Sequence, residues 1–409
     1  MLENQYGSSK RQKTLIFLCW LVYMVSYLGR YSYNSNISVI SDFFGAGEGA
    51  TGLVTSTFFF AYGAGQIVNG LLCKKYNKRI LLTVSLIISS VINALIGFGV
   101  QFEAYKYLWL INGISLSVLW SSLILVLGEN LDEQHVKKGI LAMATTVPIG
   151  TFIIYGASAI FNTVWNFKIT FLFASICLVI VSVIWFFGYS KCCVKVELNG
   201  KVVEQQKTQT KPTASLLITI CTICVFAIVC NLVKDGLQTW TPKVLGKNHD
   251  LPDGISIMLT LILPLVGVFG ASIAVFLQSK LNNYVLVLGI FFFLAGLMLV
   301  GVVLLMKTSW IPVIVLMAIA FCMAQAMNNV ITSIAPLQLR DKINPGVLTG
   351  IFNGCCYVGS TISGYGLGTL VENSGDWNVV FYLLIGLCAL AVIISLVSVL
   401  IKNKKKADA

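Results

Sequence analysis

The feature of this sequence that most restricts its fold is a succession of long apolar blocks separated by short polar segments. The twelve blocks fall at residues 14–40, 52–72, 79–99, 106–128, 139–162, 167–188, 214–241, 254–278, 283–305, 310–334, 345–371 and 377–401. A helix of about 20 apolar residues crosses the hydrocarbon core of a bilayer, which is about 30 Å thick. Backbone polar groups must be satisfied internally in lipid, so each block is predicted to be a transmembrane helix.

The composition agrees with this interpretation. Only 11% of the residues are charged and the mean hydropathy is +0.86, whereas soluble domains carry about 25% charged residues. The net charge of +12 comes from basic residues that lie between the blocks rather than on one surface, so no nucleic-acid partner is predicted. The sequence shows no nucleotide-binding loop, no paired carboxylates and no metal-ligand spacing. We therefore expect neither an enzyme nor a cofactor.

The distribution of lysine and arginine predicts the orientation in the membrane. With the N-terminus taken as inside, the inner segments hold 21 basic residues and the outer segments hold 5. Positive charge accumulates on the cytoplasmic side of membrane proteins. The sequence thus predicts a multi-pass protein of the plasma (inner) membrane with both termini in the cytoplasm. We expect it to work as a monomer.

A polar segment at residues 189–213 divides the blocks into six and six. The predicted organisation is an N-terminal half at 1–188, a cytoplasmic linker at 189–213 and a C-terminal half at 214–409. The two halves have features of a repeat, because Arg30 and Lys234 are 204 residues apart while Lys75 and Lys280 are 205 apart. Transporters with six spans in each half are built from related halves in this way.

Arg30 and Lys234 are the two basic residues inside predicted spans. A charge at the centre of a membrane helix costs about 2.5–3.5 kcal/mol on insertion scales, so it usually faces a cavity or a partner. Asp235 adjoins Lys234, but consecutive residues of a helix point about 100° apart, so it need not neutralise the lysine. Two interpretations stay open: a binding site for an anion, or structural pairing with an acid.

Polar residues follow helical spacing in several spans. Tyr23, Tyr27, Arg30 and Asn34 form one stripe of the first span. Similar stripes are Tyr62, Gln66 and Asn69; Asn231, Lys234 and Gln238; Gln325, Asn328 and Thr332; and Asn353, Tyr357 and Ser360. Such stripes form interhelical hydrogen bonds or line a polar pathway. The two histidines, His135 and His249, are predicted to lie in loops and to be solvated.

Four segments resemble the major facilitator superfamily and, within it, the organophosphate:phosphate antiporters. Residues 23–30 are similar to a tyrosine-rich segment that ends in a phosphate-binding arginine. Residues 61–79 resemble the family's loop motif, residues 234–242 its seventh-span motif, and residues 350–359 its glycine-rich signature. The resemblance implies an all-α membrane fold of twelve helices in two six-helix halves. It also implies phosphate-binding roles for Arg30 and for Lys234, which stands where the family has arginine.

The chain departs from the family pattern at several positions. Lys74 stands in place of the loop motif's aspartate, and Ser279 in place of the acid in its second copy. Gln66 stands where relatives have a lysine near the substrate, and residues 144–148 contain no histidine where relatives have one. The implied site has fewer positive charges than the family's, but two cations remain.

These observations lead to a hypothesis of transport by alternating access. Arg30 and Lys234 would bind a phosphate group, so that an organophosphate exchanges for inorganic phosphate. The remaining predicted substrate-binding residues are Tyr23, Tyr27, Gln66, Asn353 and Tyr357. Two alternatives are a transporter-like membrane sensor of external sugar phosphate and a proton-coupled symporter of another small solute, in which Asp235 would carry the proton.

The predicted topology can be tested by cysteine labelling. In a variant without other cysteines, Lys201→Cys should not react with a membrane-impermeant thiol reagent added to intact cells, because the linker is predicted to be cytoplasmic. Permeabilised cells should label fully. Lys307→Cys, in a predicted outer segment, serves as the control that reacts from outside. Labelling of position 201 in intact cells would contradict the orientation.

Overall fold

The computed structural model describes residues 8–72, 76–193, 214–340, 342–343 and 345–407, a part of the chain that is mostly helical and contains no β-strand. We number the spans in chain order. The first six are Ser9–Phe44, Glu48–Leu72, Lys78–Phe98, Phe102–Asn130, Glu133–Val164 and Lys168–Cys192. The last six are Ala214–His249, Asp253–Leu281, Tyr284–Leu305, Trp310–Gln338, Pro345–Ser374 and Asn378–Ala407.

Twelve helical segments therefore stand where twelve spans were predicted. Among the described residues, ten are long and apolar enough to cross a membrane by length and composition. The other two are Glu48–Leu72, with 25 residues, and Pro345–Ser374, with 30 residues. Both exceed the roughly 20 residues needed to span a bilayer, and both are rich in glycine and polar residues. The prediction of an all-α membrane fold is confirmed.

Some predicted boundaries and stripes differ from the structure. The α-helix of the first span ends at Tyr31 and is followed by a 3-10 turn at Asn34–Asn36, so Asn34 does not continue the stripe of the first span. The seventh helix continues through Pro242 to His249. The tenth span contains a π-helical turn at Val330–Ile334. Local propensity does not fix these boundaries, because packing in the assembled helices decides them.

The described structure divides into two compact units. The first unit comprises residues 1–36 and 60–207, and the second comprises residues 37–59 and 208–409. In the first unit, the first span packs on the fifth and the third on the sixth; in the second unit, the seventh packs on the eleventh and the ninth on the twelfth. The same pairs thus recur six spans later, which supports an internal repeat. The predicted boundaries at 188, 189 and 213 stay predictions. Residues 194–213 of the linker, and also Lys74 and Lys75, lie outside the described residues.

His135 does not lie in a solvated loop, so that expectation is wrong. It belongs to the first turn of the fifth span and is 8% exposed. Asp132 caps this helix: its carboxylate accepts from the backbone N–H of His135 at 2.9 Å and lies 2.9 Å from the ring nitrogen Nδ1. The hydrogen bond from the backbone N–H of His135, followed by the contact with its ring, lowers the pKa of Asp132 to about 2. Ser9 Oγ lies 3.2 Å from Nε2 on the other side of the ring.

Ionic contacts hold the 37–59 segment within the second unit. The ammonium of Lys243, whose side chain is 3% exposed, donates to Asp42 Oδ1 at 2.5 Å and to Ser41 Oγ at 3.1 Å. Lys247 pairs with Glu48 one helical turn further along. Lys243 and Lys247 lie beyond the predicted apolar block 214–241, but the seventh helix includes both. The extension of this helix beyond Pro242 therefore supplies the cations for these contacts.

Removal of the Asp42 carboxylate tests this account. Asp42→Ala leaves the buried ammonium of Lys243 with the Ser41 hydroxyl and should lower the stability by about 1–3 kcal/mol, measured as a fall in Tm in detergent. Adding Lys243→Met should recover most of that loss, because the buried charge is then gone.

The matched control is the exposed pair of Glu133 and Lys137, whose side chains are 86% and 72% exposed. Exposed pairs contribute about 0–1 kcal/mol, so Glu133→Ala should change the Tm little. Equal effects of Asp42→Ala and Glu133→Ala would contradict the structural role of the buried lysine.

Candidate functional site

The first unit contains an arginine cluster formed by Tyr23, Tyr27, Arg30 and Tyr31 of the first span and Tyr62 of the second. Arg30 is 8% exposed. Its guanidinium carbon lies 5.3 Å from the ring centroid of Tyr27, 5.4 Å from that of Tyr31 and 4.6 Å from that of Tyr62. Aromatic faces attract a cation at these distances. The cluster therefore holds a buried positive charge among rings that also carry hydroxyl groups.

Hydrogen bonds connect further predicted residues to the arginine cluster. The hydroxyl of Tyr62 bonds with both Tyr23 and Gln66. The rings of Tyr23 and Tyr27 meet edge to face with centroids 5.4 Å apart. The structure thus brings Tyr23, Tyr27, Gln66 and Arg30 together around Tyr62. Guanidinium and hydroxyl groups are donors suited to an anion with several oxygens.

The backbone beside Arg30 is fixed by amide side chains. The α-helix ends at Tyr31, and the last carbonyls of a helix lack partners within it. The carbonyl of Gly29 accepts from Asn112 Nδ2 at 3.0 Å and from Asn93 Nδ2 at 3.3 Å. Two asparagines from the third and fourth spans therefore position the turn that carries Arg30.

A glycine of the fifth span lets the first span approach closely. A Cβ atom at Gly150 would lie 2.6 Å from the carbonyl oxygen of Met24 and 2.7 Å from Cβ of Tyr27. Small residues at helix interfaces allow this kind of contact in membranes. Gly150 thus determines where the helix bearing Tyr27 and Arg30 can lie.

The second unit contains a lysine cluster formed by Asn231, Lys234 and Asp235 of the seventh span, Asn328 of the tenth and Ser360 of the eleventh. The ammonium of Lys234 donates to Asn231 Oδ1 at 2.8 Å, and the same oxygen accepts from Asn328 Nδ2 at 3.2 Å. Asp235 Oδ1 lies 3.6 Å from the ammonium. The other carboxylate oxygen of Asp235 accepts from the hydroxyl of Ser360. Three helices therefore meet around one ion pair.

Asp235 lies close enough to pair with Lys234, a possibility that the sequence left open. The Cβ directions of neighbouring helical residues do diverge, but the four-carbon stem of lysine is flexible enough to bend toward the carboxylate. The side chains of Lys234 and Asp235 are 17% and 6% exposed. In this low-dielectric environment the lysine charge is offset by its neighbour.

Asn353 and Tyr357 lie half-buried in the eleventh span, on the helix that supplies Ser360. Cys356 lies between these two residues in the sequence, and its sulfur is 3.8 Å from Asn328 Nδ2. Positions three and four apart share a face of a helix. Asn353 and Tyr357 therefore lie on or beside the helix face that takes part in the lysine cluster.

The sequence reasoning missed three aromatic residues of the first unit. The ring of Tyr31 is tilted against that of Tyr155, with ring centroids 6.4 Å apart. The rings of Trp120 and Tyr23 are also tilted against each other, with centroids 5.0 Å apart. Tyr31 could have been found from its position next to Arg30. Trp120 and Tyr155 come from other spans and carry no local signal.

Comparison with known proteins agrees with this architecture. The sequence profile of the Major Facilitator Superfamily matches residues 19–363. The chain belongs to the Major Facilitator Superfamily. Its fold is therefore the predicted major facilitator fold, and the prediction of a membrane transporter rather than an enzyme is confirmed.

Individual relatives are more distant. Membrane sensor protein UhpC of Escherichia coli is 28% identical over 101 residues, which are 25% of this chain and 23% of that protein. The protein of the same name from Salmonella typhimurium matches to the same extent. The match thus spans less than a quarter of the length of these relatives.

Solved structures match over almost the whole chain. An inward-facing, occupied bacterial homologue of the human lysosomal transporter Spinster has a TM-score of 0.76 at 14% identity, covering 97% of this chain and 98% of that one. The D-xylose–proton symporter has a TM-score of 0.76 at 10% identity, covering 93% and 96%. The nucleoside transporter NupG has a TM-score of 0.70 at 13% identity, covering 95% and 99%. At these identities the likeness concerns the fold alone.

Gly150→Ala should disturb the arginine cluster. The new methyl group meets backbone and Cβ atoms that cannot rotate away, so the first span must shift; overpacking of this kind costs about 1–3 kcal/mol. We expect a lower Tm and a changed fluorescence spectrum of the nearby tyrosines and tryptophan. Gly128→Ala is the control, because a Cβ there meets nothing within 4 Å. If both variants behave alike, the close approach does not position the cluster.

Proposed function

We propose that this chain exchanges an organophosphate, of the sugar-phosphate or glycerol-phosphate class, for inorganic phosphate by alternating access. The observation that carries the proposal is the buried guanidinium of Arg30 among tyrosine rings in the first span. We further propose the plasma (inner) membrane as its location, with both termini cytoplasmic, and a monomer as the working form.

The chemistry of the arginine cluster favours a phosphate group. A phosphate monoester carries about −1.5 to −2 charges near neutral pH, and arginine can grip two of its oxygens at once. Tyr23 and Tyr62, together with the amide of Gln66, supply neutral hydrogen-bonding groups nearby. A divalent anion would offset the energetic penalty of keeping Arg30 in an apolar region.

We propose that Lys234 contributes the second positive charge. Lysine acts as a point charge rather than a fork, and the amide of Asn231 holds its ammonium at 2.8 Å. Asn353 and Tyr357 would orient the organic part of the substrate from the eleventh span. When a phosphate leaves as an organophosphate enters, the phosphate gradient drives uptake without ATP.

One alternative has a specific observation in its favour. The curated relatives named above are membrane sensors, and a sensor of sugar phosphate would need the same anion-binding groups. The two functions differ in one respect: a sensor binds its ligand and does not carry it across. The proton-coupled symporter is the other alternative, with Asp235 as its buried carboxylate.

Counterflow in proteoliposomes tests the proposal. Vesicles loaded with phosphate should take up labelled phosphate, and external glycerol 3-phosphate or glucose 6-phosphate should compete with it. Binding by the purified protein without uptake would indicate a sensor. Uptake that collapses when a proton ionophore is added would indicate a symporter.

Variants of Arg30 then assign the site. Arg30→Lys keeps the charge but loses the planar fork, so the half-saturating phosphate concentration should rise by about tenfold or more, and Arg30→Gln should abolish exchange. Arg79→Lys is the matched control: Arg79 stacks on Phe186 with 3.8 Å to the ring centroid, outside the arginine cluster. Equal phosphate affinities in wild type and both Arg30 variants would mean that the anion binds elsewhere.

A further inference from the structure

Lys234 already has a negatively charged neighbour before any substrate arrives. Within the described residues its one ion pair is with Asp235, at 3.6 Å. The spans that pack against the seventh helix bring few other charged groups. The tenth span has none, and the twelfth has none between residues 378 and 401. The eleventh has only Glu372, which accepts from the backbone N–H of Gly49 at 2.8 Å, and the eighth has Asp253 and Lys280 near its two ends. The helix at Ile37–Phe44 brings Asp42, which pairs with Lys243 rather than with Lys234.

Groups that can titrate are also few around Asp235. Cys230 and Cys356 are close enough to interact electrostatically with both Lys234 and Asp235. Tyr357 lies one helical turn before Ser360 in the eleventh span. Asp235 is therefore the carboxylate that offsets the charge of Lys234 in this part of the second unit.

The geometry of the pair differs from that of a locked salt bridge. A direct charged hydrogen bond has a donor–acceptor distance of about 2.7–2.9 Å, and the ammonium makes its hydrogen bond at 2.8 Å to Asn231 instead. The carboxylate is held from the other side by the hydroxyl of Ser360. Asp235 is thus fixed to the eleventh span, while the flexible stem of Lys234 leaves the ammonium able to turn toward another anion.

We propose that Asp235 is a tethered counter-ion that occupies Lys234 when no substrate is bound and competes with the substrate anion for it. An uncompensated buried cation is costly. With Asp235 in place, the substrate-free protein avoids that penalty at Lys234. It can therefore change from one membrane-facing conformation to the other without a bound anion. Transport is then not restricted to strict exchange, and bound anion leaves readily. This inference rests on the proposed function.

Replacement of the Asp235 carboxylate tests whether net transport of phosphate, in contrast to exchange, depends on this residue. Asp235→Asn has nearly the same size and can still accept the hydrogen bond from Ser360, but it no longer offsets the lysine. We expect the half-saturating phosphate concentration to fall by about tenfold. Net efflux of labelled phosphate into phosphate-free medium should fall by about tenfold relative to efflux into medium that contains phosphate.

A double variant keeps the inference testable if Asp235→Asn alone does not fold. Lys234→Gln with Asp235→Asn removes both charges, so no uncompensated cation remains; its ratio of net efflux to exchange should be close to that of wild type, with weaker phosphate binding. Asp253→Asn is the matched control, because that carboxylate also accepts from a serine hydroxyl, Ser38 Oγ at 2.9 Å, in the same unit. It should leave both the ratio and the phosphate affinity unchanged.

The outcomes distinguish the inference from the function on which it rests. Absence of phosphate movement in wild type under both conditions would overturn the proposed function and the inference with it. Exchange by wild type combined with an unchanged ratio and affinity in Asp235→Asn would overturn the inference alone. If Asp235→Asn does not fold, a double variant whose ratio differs from that of wild type would also overturn it.

Discussion

The burial of positive charge in an apolar medium is the constraint around which both units are arranged. In the first unit the guanidinium of Arg30 lies among tyrosine faces, which attract a cation through their quadrupoles. In the second unit the ammonium of Lys234 has an amide oxygen and a carboxylate. The described contacts of the two cations therefore differ in kind, even though the cations occupy corresponding spans.

Most of the fold could be predicted from the sequence, because lipid permits few kinds of spanning structure. A block of about 20 apolar residues must be helical there, and this single rule predicted the twelve spans and the helical class. The residues at which the helices end were harder to predict. The predicted apolar block ends at residue 241, yet the helix continues to His249, and Lys243 and Lys247 in its extension find partners in the 37–59 segment. Contacts so distant along the chain leave no mark in local composition.

The residues of the candidate site could likewise be predicted only in part. Helical spacing brought out Tyr23, Tyr27 and Arg30, and the structure joins them through Tyr62. Spacing left the pairing of Lys234 with Asp235 undecided, because a rule about Cβ directions does not include the reach of a long side chain. Trp120 shows a third situation: its contact with Tyr23 depends on the packing of one span against another, which no pattern within a single span records.

The π-helical turn at Val330–Ile334 follows directly after the residues of the tenth span that face the lysine cluster. Such a turn contains one residue more than an α-helical turn, and one residue corresponds to about 100° of rotation. The part of the span beyond Ile334 is therefore rotated relative to the part that carries Asn328, whose amide holds Asn231. The extra residue offsets the helix face presented near Gln338 by a fixed angle from the face that carries Asn328. Residues beyond Ile334 therefore point in directions that continuous α-helical spacing from Asn328 would not give.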